Sequence, residues 1–156
     1  MPAEISTVGA IARANRRSLL LLSFHDRSLE ARWASGPCHQ HGSFYQQWMA
    51  DRLEAWKTHA ARQHLIDWLA CQGIGWQPCA PFLPGWVHAG SYWGDMCLDI
   101  PCTAQDPCYR ALQAYLQPPG SRHRFENVTL FHMPLANALL HALMRSKAAT
   151  LRRQSP

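Results

Sequence analysis

Residues 86–100, W-V-H-A-G-S-Y-W-G-D-M-C-L-D-I, decide how this chain is read. Met96, Leu98 and Ile100 alternate with Asp95, Cys97 and Asp99, the period of a strand with one buried face and one open face. Residues 86–92 offer a second strand, and Gly94 can take the positive φ of a tight turn between them. A two-residue Trp93-Gly94 loop then sets Val87 opposite Ile100, Ala89 opposite Leu98 and Ser91 opposite Met96 on an apolar side. The other side carries His88 opposite Asp99, Gly90 opposite Cys97 and Tyr92 opposite Asp95. The expectation is a β-hairpin that hides aliphatic groups beneath it and lifts an imidazole, a thiol and carboxylates toward solvent.

Outward from this hairpin the pattern alternates between strand and helix. Ser18 to Phe24 is a leucine-rich run that fits a central strand, whereas Leu29 to Trp33 is open to either strand or helix. From Ser43, an N-cap candidate, Tyr45, Trp48, Met49, Leu53, Trp56 and Ala60 form a helical stripe. That stripe drifts after Trp56, which leaves one bent helix or two, the later part with inner face Ala61, Leu65, Trp68 and Leu69 and a stop at Gly73. The helical spacing marks the three tryptophans as core anchors. Ile74 to Cys79 reads as a short strand. Asp106-Pro107 is the clearest helix start, with Asp as N-cap and Pro at the first helical position. Arg124 to Met133 is apolar on both of its alternate sets, which predicts a central strand. Pro134 opens a last helix with Leu135, Leu139, Ala142 and Leu143 on its stripe, widened by Leu140 and Met144. Together these predict an α+β fold, a mainly antiparallel sheet of about four to five strands with helices packed on one face.

A chain of 156 residues with 47% hydrophobic and 16% charged residues is long enough for one globular domain with a buried core. The expected division is a flexible or loosely helical basic segment at 1–17, a single α+β domain at 18–145 and a basic tail at 146–156. The net charge of +5 belongs to those ends: seven of the fifteen Lys and Arg residues, but one of the ten Asp and Glu residues, lie in 1–17 and 145–156. The centre is near neutral, so a nucleic-acid surface would need Arg122 and Arg124 to join the terminal arginines in one stripe. No apolar run approaches a membrane span, and Phe24-His25-Asp26-Arg27 stands where a signal peptide would carry small residues. The chain is expected to be cytoplasmic, with its six cysteines reduced.

Three functional classes fit these residues. The first is a small binding or accessory protein, of adaptor or inhibitor type, that meets a protein partner through Trp86, Tyr92, Trp93 and Asp95, with Arg122 and Arg124 as further binding candidates and the basic ends pointing to a nucleoprotein. The second is a small enzyme in which Asp99 orients His88 as a base, with Cys97 or Tyr92 beside it. The third is a nucleic-acid-binding protein acting through its basic termini. Asp95 and Asp99 are a poor metal pair, since four residues of strand separate their Cα atoms by roughly 13 Å. No C-x-x-C occurs; the nearest approach to a zinc set is Cys38 and His41 with Cys97 and Cys102. No cofactor is expected, and the oligomeric state is left open.

Overall fold

Leu19, Leu20, Leu21 and Leu22 stand at successive positions of one strand, β1 (Leu19–Phe24), and all four are buried. Strand side chains alternate in direction, so such a run requires cover on both faces. The structure, a computed structural model, describes residues 6–25, 27–35, 42–79, 92–140, 142–143 and 147. After α1 (Val8–Asn15) and β1 come α2 (Arg27–Ser35), α3 (Gly42–Ala55), a 3-10 turn (Trp56–Thr58) and α4 (Ala60–Cys71). Then follow β2 (Trp76–Pro78), β3 (Met96–Leu98), α5 (Pro107–Leu116) and β4 (Val128–Met133). A last helix, α6, occupies 135–140 and 142–143.

The four strands form one antiparallel sheet in the order β2-β3-β1-β4. Two strand-helix-strand units are interleaved, so that β3 lies between β1 and β2 while β1 lies between β3 and β4. This is the split β-α-β, or ferredoxin-like, connectivity. The α+β class and the antiparallel sheet are as the sequence predicts. The helices, however, cover both faces of the sheet rather than one. Leu20, Leu22 and Phe24 share a core with Met96, Leu98, Leu65 and Leu112, which brings α4 and α5 onto one face. Leu19 and Leu21 share a second core with Val8, Ile11, Cys97, Met133 and Ala138, which brings α1 and α6 onto the other.

The hairpin of residues 86–100 is corrected by this topology. Met96, Leu98 and Ile100 do face the first core. Yet Cys97 pairs with Leu21 on one side and Gln77 on the other, so both edges of β3 are taken. The antiparallel partner expected at 86–92 is instead β2, with Trp76 opposite Leu98 and Pro78 opposite Met96. Residues 86–91, including Trp86 and His88, lie outside the described residues. A second correction concerns β4, which is an edge strand although its composition reads as central.

The N-terminal segment is also more than a loose extension. Thr7 Oγ1 accepts the Ala10 N–H at 3.2 Å as N-cap, and Val8, Ile11 and Ala12 are buried in the second core. Gly9 faces α6 so closely that a Cβ would overlap the Ala142 methyl. The other helix boundaries follow the sequence signals. Asp106 Oδ1 accepts the Tyr109 N–H at 2.9 Å with Pro107 at the first helical position, and Gly73 closes α4 at φ +67°. Of the alternatives after Ser43, one bent helix or two, the structure has two: the 3-10 turn that begins at Trp56 separates α3 from α4.

Because α1 and α6 meet through a residue without a side chain, Gly9→Leu should wedge them apart. The expected loss is about 1–3 kcal/mol of stability from overpacking, read as a lower urea midpoint. An unchanged midpoint would show that α1 does not contribute to the second core.

Candidate functional site

Tyr92, Trp93 and Asp95, expected at an exposed hairpin tip, are drawn into the body of the protein by two arginines. Arg62 of α4 is 8% exposed. Its Nε donates to the Gly94 carbonyl at 2.9 Å, its Nη2 donates to the Tyr92 hydroxyl at 2.9 Å, and its guanidinium lies over the rings of Trp56 (4.8 Å) and Trp76 (5.5 Å). Gly94 has φ +90°, and a Cβ there would strike the Trp56 side chain, so a glycine is required by both conformation and space. Arg52 of α3 lies over Trp93 at 4.3 Å. The segment 92–95 is therefore a clasp between helices and sheet, with its aromatic rings half-buried.

Asp95 is buried in this clasp. Burial pushes its carboxyl up to about 6; a hydrogen bond from the Ser23 side chain, the Arg52 charge, a backbone hydrogen bond from Phe24 and the Arg62 charge oppose that rise. Tyr92 is likewise raised by burial, against the pull of Arg62.

The catalytic set is not assembled among the described residues. Asp99 receives Arg17 Nη2 at 2.7 Å with its side chain 73% exposed, and His88 lies outside the described residues. Cys97 faces the second core, where burial pushes its thiol up to about 11 and keeps it protonated. Of the zinc candidates, Cys97 is in the second core and Cys102 packs against the first, while Cys38 and His41 lie outside the described residues. Among the described residues no three His, Cys, Asp or Glu side chains are grouped to hold a metal ion. Arg124 is engaged structurally: its backbone N–H donates to the Leu116 carbonyl at 2.6 Å, its Nε donates to the Tyr115 carbonyl at 2.8 Å, and its guanidinium lies over the Tyr115 ring. It thereby caps the C-terminal end of α5. Arg122 is exposed in the same loop.

A concave surface lies elsewhere, along β4. A groove of about 530 Å³ runs between that strand and α5. Gln113, Ala114 and Gln117 form its helical wall, and Val128, Thr129 and Leu130 form the strand wall. His123 closes one end. Among the described residues β4 pairs with β1 alone, so its other edge presents backbone N–H and C=O groups outward. The opposite edge of the sheet is protected differently: β2 has three residues, includes Pro78, and is continued at Cys79 by a bridge to Ser6. β4 has six residues with neither Pro nor charge. Leu130 is half-buried on one of its faces, and Phe131 is 43% exposed on the other.

None of the groove residues was marked by a motif. The available signal was the apolar character of both faces of β4, which sequence reasoning converts to centrality. Comparison with protein-family models, with curated proteins and with solved structures finds no match.

The Asp95 carboxyl carries a pH-dependent penalty. Its folded pKa of about 6 exceeds the ordinary 3.8. Its contribution to stability is thus fully present below about 3.8 and is lost as pH rises through about 6. Asp95→Asn removes that loss, so its stability relative to wild type should improve between pH 3.5 and pH 7 by up to about 3 kcal/mol. Urea unfolding of both proteins at the two pH values measures it; a pH-independent difference would contradict the burial of the charge.

Proposed function

We propose that the protein is a binding module that captures an extended, acidic segment of a protein partner by adding it as a fifth strand beside β4. The observation that carries this reading is the groove between α5 and the edge of β4 that no strand pairs among the described residues. An extended chain needs backbone partners along one side and pockets for alternate side chains, and an edge strand walled by a helix supplies both. The six residues of β4 match a bound segment of about 17–20 Å at ~3.3 Å per residue. An added strand would cover Leu130 through side chains pointing to one face and Phe131 through those pointing to the other. Both gain burial that β4 lacks at the edge.

Charge selects the class of segment. From Pro107 to Met133 the chain carries Arg110, Arg122 and Arg124 against Glu126 alone, and Glu126 is paired with Arg27 at 3.3 Å. The groove wall itself has no acidic side chain. Acidic residues in the ligand would therefore meet uncompensated positive potential, which speeds encounter and favours them over basic competitors.

Selection from a phage-displayed library of random nine-residue peptides tests this. The expected products alternate apolar residues with Asp or Glu, and bind more weakly as salt rises. Ala114→Trp fills the groove from an exposed helical position and should weaken the selected peptides at least tenfold, while slowed amide exchange at β4 should accompany binding to the wild type. Failure to enrich any peptide, or equal binding by Ala114→Trp, would remove the groove as the site. Groove-dependent peptides without acidic residues would retain strand addition and overturn the charge preference.

A further inference from the structure

Three buried side-chain nitrogens, Arg52 Nε, His59 Nδ1 and Trp93 Nε1, have no hydrogen-bond partner among the described residues. All three residues line the same small cavity, whose other walls include Phe24, Leu29 and Ala55. Its volume is about 20 Å³. That is room for one water-sized particle and too little for an organic ligand. Unpaired buried polar atoms are rare, and three of them on residues that line one cavity of this size point to a bound polar particle.

The donor pattern identifies the particle. Arg52 Nε and Trp93 Nε1 are obligate donors. His59 Nε2 lies 3.0 Å from the His25 carbonyl, which only accepts, so Nε2 carries the proton of that hydrogen bond. In a ring protonated there alone, Nδ1 offers a lone pair. Facing that tautomer, the occupant accepts two hydrogen bonds and donates one. A water molecule does this, whereas a halide has no proton to give and would face the imidazole lone pair.

We propose that this cavity is a binding site for a single water molecule held by Arg52, His59 and Trp93. The water joins α3, the turn leading into α4 and the segment 92–95, three pieces that otherwise meet here mainly through ring contacts. It completes the hydrogen bonding of Arg52, whose guanidinium already lies over Trp93 and stands 4.0 Å from Glu30.

Crystals of the full chain grown in sodium bromide separate the possible occupants. The expected result is one density peak within hydrogen-bond distance of all three nitrogens and no bromine anomalous signal. A bromine signal in the cavity, or a cavity with no peak, would overturn the assignment. In solution, the Trp93 indole proton should show cross-relaxation to water. A missing water peak would overturn it equally.

Discussion

A strand with no exposed side dictates the rest of this molecule. β1 is flanked by β3 and β4, and its leucines point alternately into two separate cores. Removing both faces from water requires two layers of helices, and removing both edges requires two strands from later in the chain. α4 and α5 answer the first face; α1 and α6 answer the second. The position of β4 follows from the same requirement. It satisfies one edge of β1 and, among the described residues, has no strand on its own far edge, beside the helix that had to pack next to it.

The polar interior is subordinate to that layering but is not passive. Arg52 and Arg62 reach from neighbouring helices to the segment that leads into β3, and each uses an aromatic face as well as polar partners. Burying cations is unfavourable unless they are hydrogen-bonded and electrically compensated. Asp95 supplies part of that compensation at the expense of its own desolvation, which is why its carboxyl titrates high. The clasp is an arrangement of mutually dependent groups: truncating an arginine would expose aromatic edges and also leave Asp95 less compensated.

Much of the fold was legible because its signals are local. The leucine run of β1, the Asp106-Pro107 cap, the stop at Gly73 and the inward set Met96, Leu98 and Ile100 each describe their own neighbourhood, and the structure honours them. Pairing is not local. Residues 86–92 and Trp76–Pro78 are competing neighbours for β3, and alternation alone cannot choose between them. The open face expected around Cys97 was misread for a related reason: α1, expected as at most a loose helix around Val8 to Ala14, packs in the core on that side. Tyr92 and Trp93 had the composition of interface anchors, yet the same aromatic faces are what a buried arginine needs. β4 gave the most instructive error. Apolar residues on both of its sides speak for its two faces and say nothing about its edges, and here Leu130 is half-buried while Phe131 stays 43% exposed.

The order of the strands along the chain has a consequence for synthesis. The middle of the sheet is translated first, whereas both of its neighbours, Met96–Leu98 and Val128–Met133, are translated much later. Until both of those strands are present, the leucine ribbon lacks its sheet neighbours, and the closing contacts are distant in sequence. A fragment that stops short of them would leave apolar surface and strand edges exposed, the features that make partly folded chains aggregate.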